Sequence, residues 1–196
     1  MESTSAFNWS VISLTEAHLA SLVDHYMQLS QDDLRLRFFV GSPSSPDRRR
    51  EWTTSLVTDM FKRKTSRQLG VVDPANGNAL IGVASWGPCS KDPKIADFGV
   101  SVVPAWRGKG LTEALMDQAC VDAFQNGCTT MRVEYLYDNA AVQNLLRRMH
   151  DVVPLKWGLH ATTASLKPYE EEVGRQLTLL AALLEAVDLS GTPAKL

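Results

Sequence analysis

With 196 residues, 44% of them apolar, the chain is long enough for one domain with a sizeable core. A charged fraction of 21% excludes wholesale disorder, and a net charge of −2 gives no general pull toward nucleic acid or anionic membrane. Cys89, Cys120 and Cys128 are an odd count without CxxC spacing, which argues against a disulfide framework or a zinc site and suits a reducing cytoplasm.

Residues 1–10 lack the basic and apolar regions of a signal peptide, and the longest apolar stretch, 177–184, is too short to span a bilayer. Residues 7–14 alternate apolar and polar and predict a strand. Thr15 can cap a helix through residue 29 with Leu19, Leu22, Val23 and Tyr26 as its apolar stripe. A short helix is predicted at 32–39, a loop at 41–46, and a third helix at 47–64 with Pro46 in its first turn. Residues 68–72 and 79–86 around a Pro/Asn/Gly turn predict a hairpin. A strand over 96–103, a helix over 111–126, a strand over 130–137, a helix over 139–149 and a last strand over 159–166 complete the pattern. Alternating strands and helices of this kind predict a mixed α/β sheet.

Arg107-Gly108-Lys109-Gly110-Leu111-Thr112 joins a predicted strand to a predicted helix. A glycine-rich turn there puts unpaired N–H groups and the positive end of the helix dipole at one place, which suits a phosphate. Arg107 and Lys109 would add charge beside the anion. The dinucleotide fingerprint does not fit, because its third glycine position is Glu113, and no Gly-Lys-Ser/Thr run of a P-loop exists.

The segment resembles the coenzyme A loop of the GCN5-related N-acetyltransferases. Their pattern is Arg or Gln, two residues, Gly, one residue, then Gly or Ala; Arg107, Gly110 and Thr112 occupy those places, with Thr112 departing from the last. Ala96-Asp97-Phe98-Gly99, Val102-Val103-Pro104 and Asp138-Asn139-Ala140 extend the likeness over 81–149. Residues 29–39 also resemble the subgroup that includes bacterial protein-lysine acetyltransferase domains. The resemblance implies a mostly antiparallel mixed sheet flanked by helices, acetyl-CoA as acyl donor, and a primary amine of a small molecule or a protein lysine as acceptor. It gives the cofactor Arg107, Gly108, Lys109, Gly110, Leu111 and Thr112, the backbone of Val100 and Val102 at a bulge, and Asn139, whose other role is an N-cap.

A lysine amine has a pKa near ~10.4, so transfer needs a base. Asp97, on the polar face of its strand with Gly99 and Ser101, either fills that role or only bonds a neighbouring loop. Glu134 is the rival base. The acid of many relatives is a tyrosine where this chain has Leu146; Tyr137 could substitute or simply pack. Arg48-Arg49-Arg50 reads as a solvated helix face, Cys89 has no evident histidine partner, and His18, His25, His150 and His160 have no metal spacing. Leu146 for Tyr and Asp97 for Glu leave a second reading open, a non-catalytic acyl-CoA sensor. The acetyltransferase domain is expected over 1–167. Residues 168–196 read as an added helix and tail whose seam at Val173, Leu177, Leu180, Leu184 and Val187 would either dock on the domain or form a homodimer.

Overall fold

The computed structural model describes residues 9–73, 75–77, 79–148, 152–157 and 161–166. In chain order come β1 (Val11–Leu14), a short 3-10 turn (Glu16–His18), α1 (Leu19–Met27), α2 (Gln31–Phe38), α3 (Pro46–Lys62), β2 (Arg67–Asp73), β3 (Ala79–Pro88) and β4 (Ile95–Val102). A second 3-10 turn (Pro104–Trp106) leads to α4 (Leu111–Gln125), β5 (Thr130–Leu136), α5 (Ala140–Arg148), β6 (Val152–Trp157) and β7 (Ala161–Leu166). The strands form one sheet in the order β1-β2-β3-β4-β5-β7-β6. Only β4 and β5 pair in parallel; every other neighbour is antiparallel. This is the mixed, mostly antiparallel sheet that the sequence implied.

The two faces are covered differently. α4 packs on β3 and β4 from one side. Its buried residues Leu111, Leu115, Met116, Ala119 and Ala123 fall on one helical stripe. Full burial of each large one is worth roughly 1.5–3 kcal/mol. α1 and α2 lie on the other face, through Leu22, Tyr26 and Leu34, with α3 packed behind α1. Ser30 fixes the start of α2: its Oγ accepts from Asp33 N–H at 3.0 Å while Asp33 Oδ2 accepts from Ser30 N–H at 2.9 Å.

The structure corrects three expectations. The helix expected from Thr15 is split, with the 3-10 turn leading into α1, because His18 Nδ1 folds back onto Thr15 N–H at 3.1 Å. A strand at 152–157 was not anticipated. Pro154 lacks the N–H of a central strand, yet β6 is an edge strand and its register shifts between Pro154 and Lys156, which accommodates the proline. The bulge expected at Val100–Val102 is absent, since β3 and β4 pair without interruption from Gly82↔Val102 to Pro88↔Ala96. The C-terminal helix and its dimer seam lie outside the described residues.

Candidate functional site

What opens β4 is divergence from β5. Their pairing ends at Phe98↔Val133, while β4 continues to Val102. Val103 N–H donates to Ile81 O at 3.0 Å, so the N–H groups at 103, 101 and 99 turn toward β3. By the alternation of a strand, those of Val102 and Val100 turn toward the opening. A cleft of about 910 Å³ occupies this side of the molecule and reaches from Arg63 and Ser66 through Gly99 and Val100 to Gly108, Gly110 and Asn139. A volume of this size suits a ligand larger than an amino acid.

At one end, Gly110 caps α4 with φ 79°, and Gly108 has φ 73°. Both are left-handed values that cost L-residues about 1–2 kcal/mol, and a Cβ at either would meet no protein atom. The turn therefore presents bare backbone to the cleft at the positive end of a 15-residue helix. Sequence reasoning gave both flanking cations to the anion, but here they bind the protein. Arg107 Nε donates to Val102 O at 3.1 Å and its guanidinium pairs with Asp33 Oδ1 at 2.8 Å. Burial alone would raise Asp33, but hydrogen bonds from Arg107 and Ser30 hold its carboxyl below the usual range. Lys109 Nζ lies 4.3 Å from the Trp106 ring centroid, and Trp9 donates from Nε1 to Lys109 O at 3.1 Å. These partners brace the loop. Sequence reasoning missed Asp33 and Trp9, which lie far from the loop in the chain.

Asn139 is buried, lines the cleft and accepts the Val142 N–H on Oδ1 at 3.2 Å, so it caps α5. Leu111 and Thr112 line the same wall. At the other end Asp97, Arg132 and Glu134 share one sheet face. Arg132 Nε donates to Asp97 Oδ1 at 2.5 Å, whereas its distance to Glu134 Oε1 is 3.7 Å, beyond a hydrogen bond. Tyr137 is 40% exposed and does not line the cleft, nor does any other tyrosine among the described residues. Cys89 lies outside the cleft lining with Sγ 3.5 Å from an Arg132 nitrogen. The N–H groups of Lys91 and Asp92 lower its thiol, burial opposes them, and Arg132 adds to the lowering. No group of the described residues could hold a metal ion.

Along the polar face of β4, beyond Asp97, Arg37 from α2 rests on Gly99 and His25 from α1 meets Ser101. His25 Nδ1 is 2.9 Å from Leu80 O, which only accepts, so that nitrogen carries the proton and Ser101 donates to Nε2 at 2.9 Å. Burial is the main cause that lowers His25 to about 4; the Leu80 bond opposes it and Arg37 adds to it. The unfolded chain, with a histidine near 6.5, takes up a proton that the fold refuses. Stability is therefore complete above pH 6.5 and falls as the pH drops toward 4, by about 3 kcal/mol from this group. Urea unfolding across this range checks it: His25→Gln should flatten the decline, and a parallel decline in the variant would refute the assignment.

The sequence model of the Acetyltransferase (GNAT) family matches residues 27–151. The chain belongs to this family. Among solved structures, the GNAT domain of S. lividans PAT is 16% identical with a TM-score of 0.67, over 81% of this chain and 89% of that one. The paia N-acetyltransferase from Thermoplasma acidophilum, solved in complex with coenzyme A, is 11% identical with a TM-score of 0.61, over 83% and 100%. The ribosomal-protein-S5-alanine acetyltransferase from Vibrio fischeri is 15% identical with a TM-score of 0.59, over 85% and 97%. At these identities the likeness concerns the GNAT fold. No curated protein matches the sequence significantly. No helix among the described residues of this GNAT chain is long and apolar enough to cross a membrane.

Proposed function

We propose that this GNAT protein transfers an acetyl group from acetyl-CoA directly to a primary amine. The observation that carries the reading is the unpaired edge of β4 running into the bare turn at Gly108 and Gly110. Gly108 to Thr112 would hold the pyrophosphate by backbone N–H groups, and Val100, Val102 and Asn139 would offer hydrogen bonds along the arm. Bound there, acetyl-CoA supplies the thioester that is transferred.

The base role goes to Glu134. Asp97 has one carboxylate oxygen committed to Arg132, while Glu134 accepts no hydrogen bond from a side chain among the described residues and so offers its lone pairs to an ammonium or a bridging water. Asp97 then acts through Arg132, which it holds in place. A departing thiolate has a pKa near that of a free thiol, about 8.5, so a strong acid is not required where no tyrosine of the described residues lines the cleft. A second reading, a non-catalytic acyl-CoA sensor, keeps the same cofactor cleft without the transfer, and the bare turn at Gly108 and Gly110 favours both readings over a purely structural protein.

Binding tests the shared part of both readings. At one hundred times its dissociation constant, a ligand adds ~2.7 kcal/mol, and a domain of this size gains roughly 2–4 °C for each kcal/mol. Acetyl-CoA should raise the melting temperature by about 5–10 °C. No shift at millimolar acetyl-CoA would remove the cofactor from the account.

A further inference from the structure

Among the described residues, Arg37 is a cation in the cleft without an anion of its own. It lines the cleft beside Ser85 and Gly99. Its guanidinium donates to Ser85 Oγ and lies on Gly99, where any Cβ would collide with Nη1. The glycine is what lets the planar group lie flat on β4. The Phe38 ring holds it from behind, 4.9 Å from Cζ to centroid. No carboxylate of the described residues lies within ion-pair distance of it, and its Nε is buried without a partner. A charged group placed so, unpaired and partly desolvated, is costly unless a ligand completes it.

The charges around it are unequal. Asp97, two residues or about 6.6–6.8 Å along β4, and Glu134, on the neighbouring β5, share the single guanidinium of Arg132, leaving an excess of negative charge. Arg63, exposed just after α3, also lines the cleft and adds positive charge. The carboxylate pair therefore suits an ammonium, and the Arg37 guanidinium beside it suits a carboxylate. We propose that Arg37 receives the carboxylate of the acceptor, so that the amine acetylated here belongs to a small molecule that also carries a carboxylate, an amino acid in the simplest case. The fork of a guanidinium matches a carboxylate in two hydrogen bonds. This inference rests on the acetyl-transfer reading of the same cleft.

The test uses free L-amino acids and the matching L-amino acid amides, with the full chain and acetyl-CoA. Turnover is read as free thiol, and binding as thermal shift in the presence of coenzyme A. The best acids should exceed their amides by about ten- to a hundredfold in kcat/KM, the worth of a charge-assisted pair. Arg37→Gln should erase that preference through KM and keep the acetyl-CoA shift, while Arg37→Lys should restore part of it. Ser85→Ala, which frees the guanidinium, should raise KM for the acids if Arg37→Gln fails to fold. Amides used as well as acids, a preference that survives Arg37→Gln, or acids that neither bind nor react would each overturn the proposal. Acids that stabilise the coenzyme-loaded chain through Arg37 without thiol release would uphold the carboxylate site and overturn acetyl transfer.

Discussion

Gly110→Val should abolish the thermal shift that acetyl-CoA gives the native chain. At φ 79° an L-residue is strained, and a β-branched one more so, which costs the unliganded variant about 1–3 kcal/mol. The Cβ meets no protein atom within 4 Å, so the fold has room for the new side chain. Its branches instead stand in the space where a phosphate would approach the N–H groups of the turn. Differential scanning of the variant with and without acetyl-CoA reads both effects at once. A variant that melts lower but keeps the full 5–10 °C shift expected of the ligand would move the pyrophosphate elsewhere.

Glu134→Gln carries the other large effect. Losing a positioned base should lower turnover ~10²–10⁴-fold at neutral pH, with acetyl-CoA binding kept. The deficit should shrink as the pH rises toward the amine pKa, because the free amine then needs no acceptor for its proton. Asp97→Asn should cost less, since one oxygen of that carboxylate is held by Arg132. Steady-state rates of the two variants across pH decide between them. A larger loss for Asp97→Asn would return the base role to Asp97.

Local signals carried most of the fold. The glycine turn before an apolar helical stripe, the Pro46 start of α3 and the hairpin glycine at 77 are each set by a few neighbouring residues, and each element stands where its pattern put it. β6 escaped because Pro154 is incompatible with a central strand, and edge position is a property of the whole sheet. The site divides the same way. Gly108, Gly110 and Asn139 are legible because backbone conformation and capping demand those residue types. The turning of Arg107 to Asp33, the pairing of Asp97 with Arg132 and the seat of Arg37 on Gly99 depend on contacts between α2, β4 and β5. No periodicity in the chain encodes those contacts. An arginine inside a highly charged helix such as 31–38 reads as a surface residue until the strand beneath it is known.

The most direct measurement of the central claim is acetyl-CoA turnover, followed as release of free thiol, across a panel of primary amines that includes free amino acids and a lysine peptide. Direct transfer predicts thiol release that depends on one class of amine, saturates with it and yields the N-acetylated product in equal amount. Binding of acetyl-CoA with no amine-dependent thiol release from any acceptor would contradict it and leave the chain a sensor.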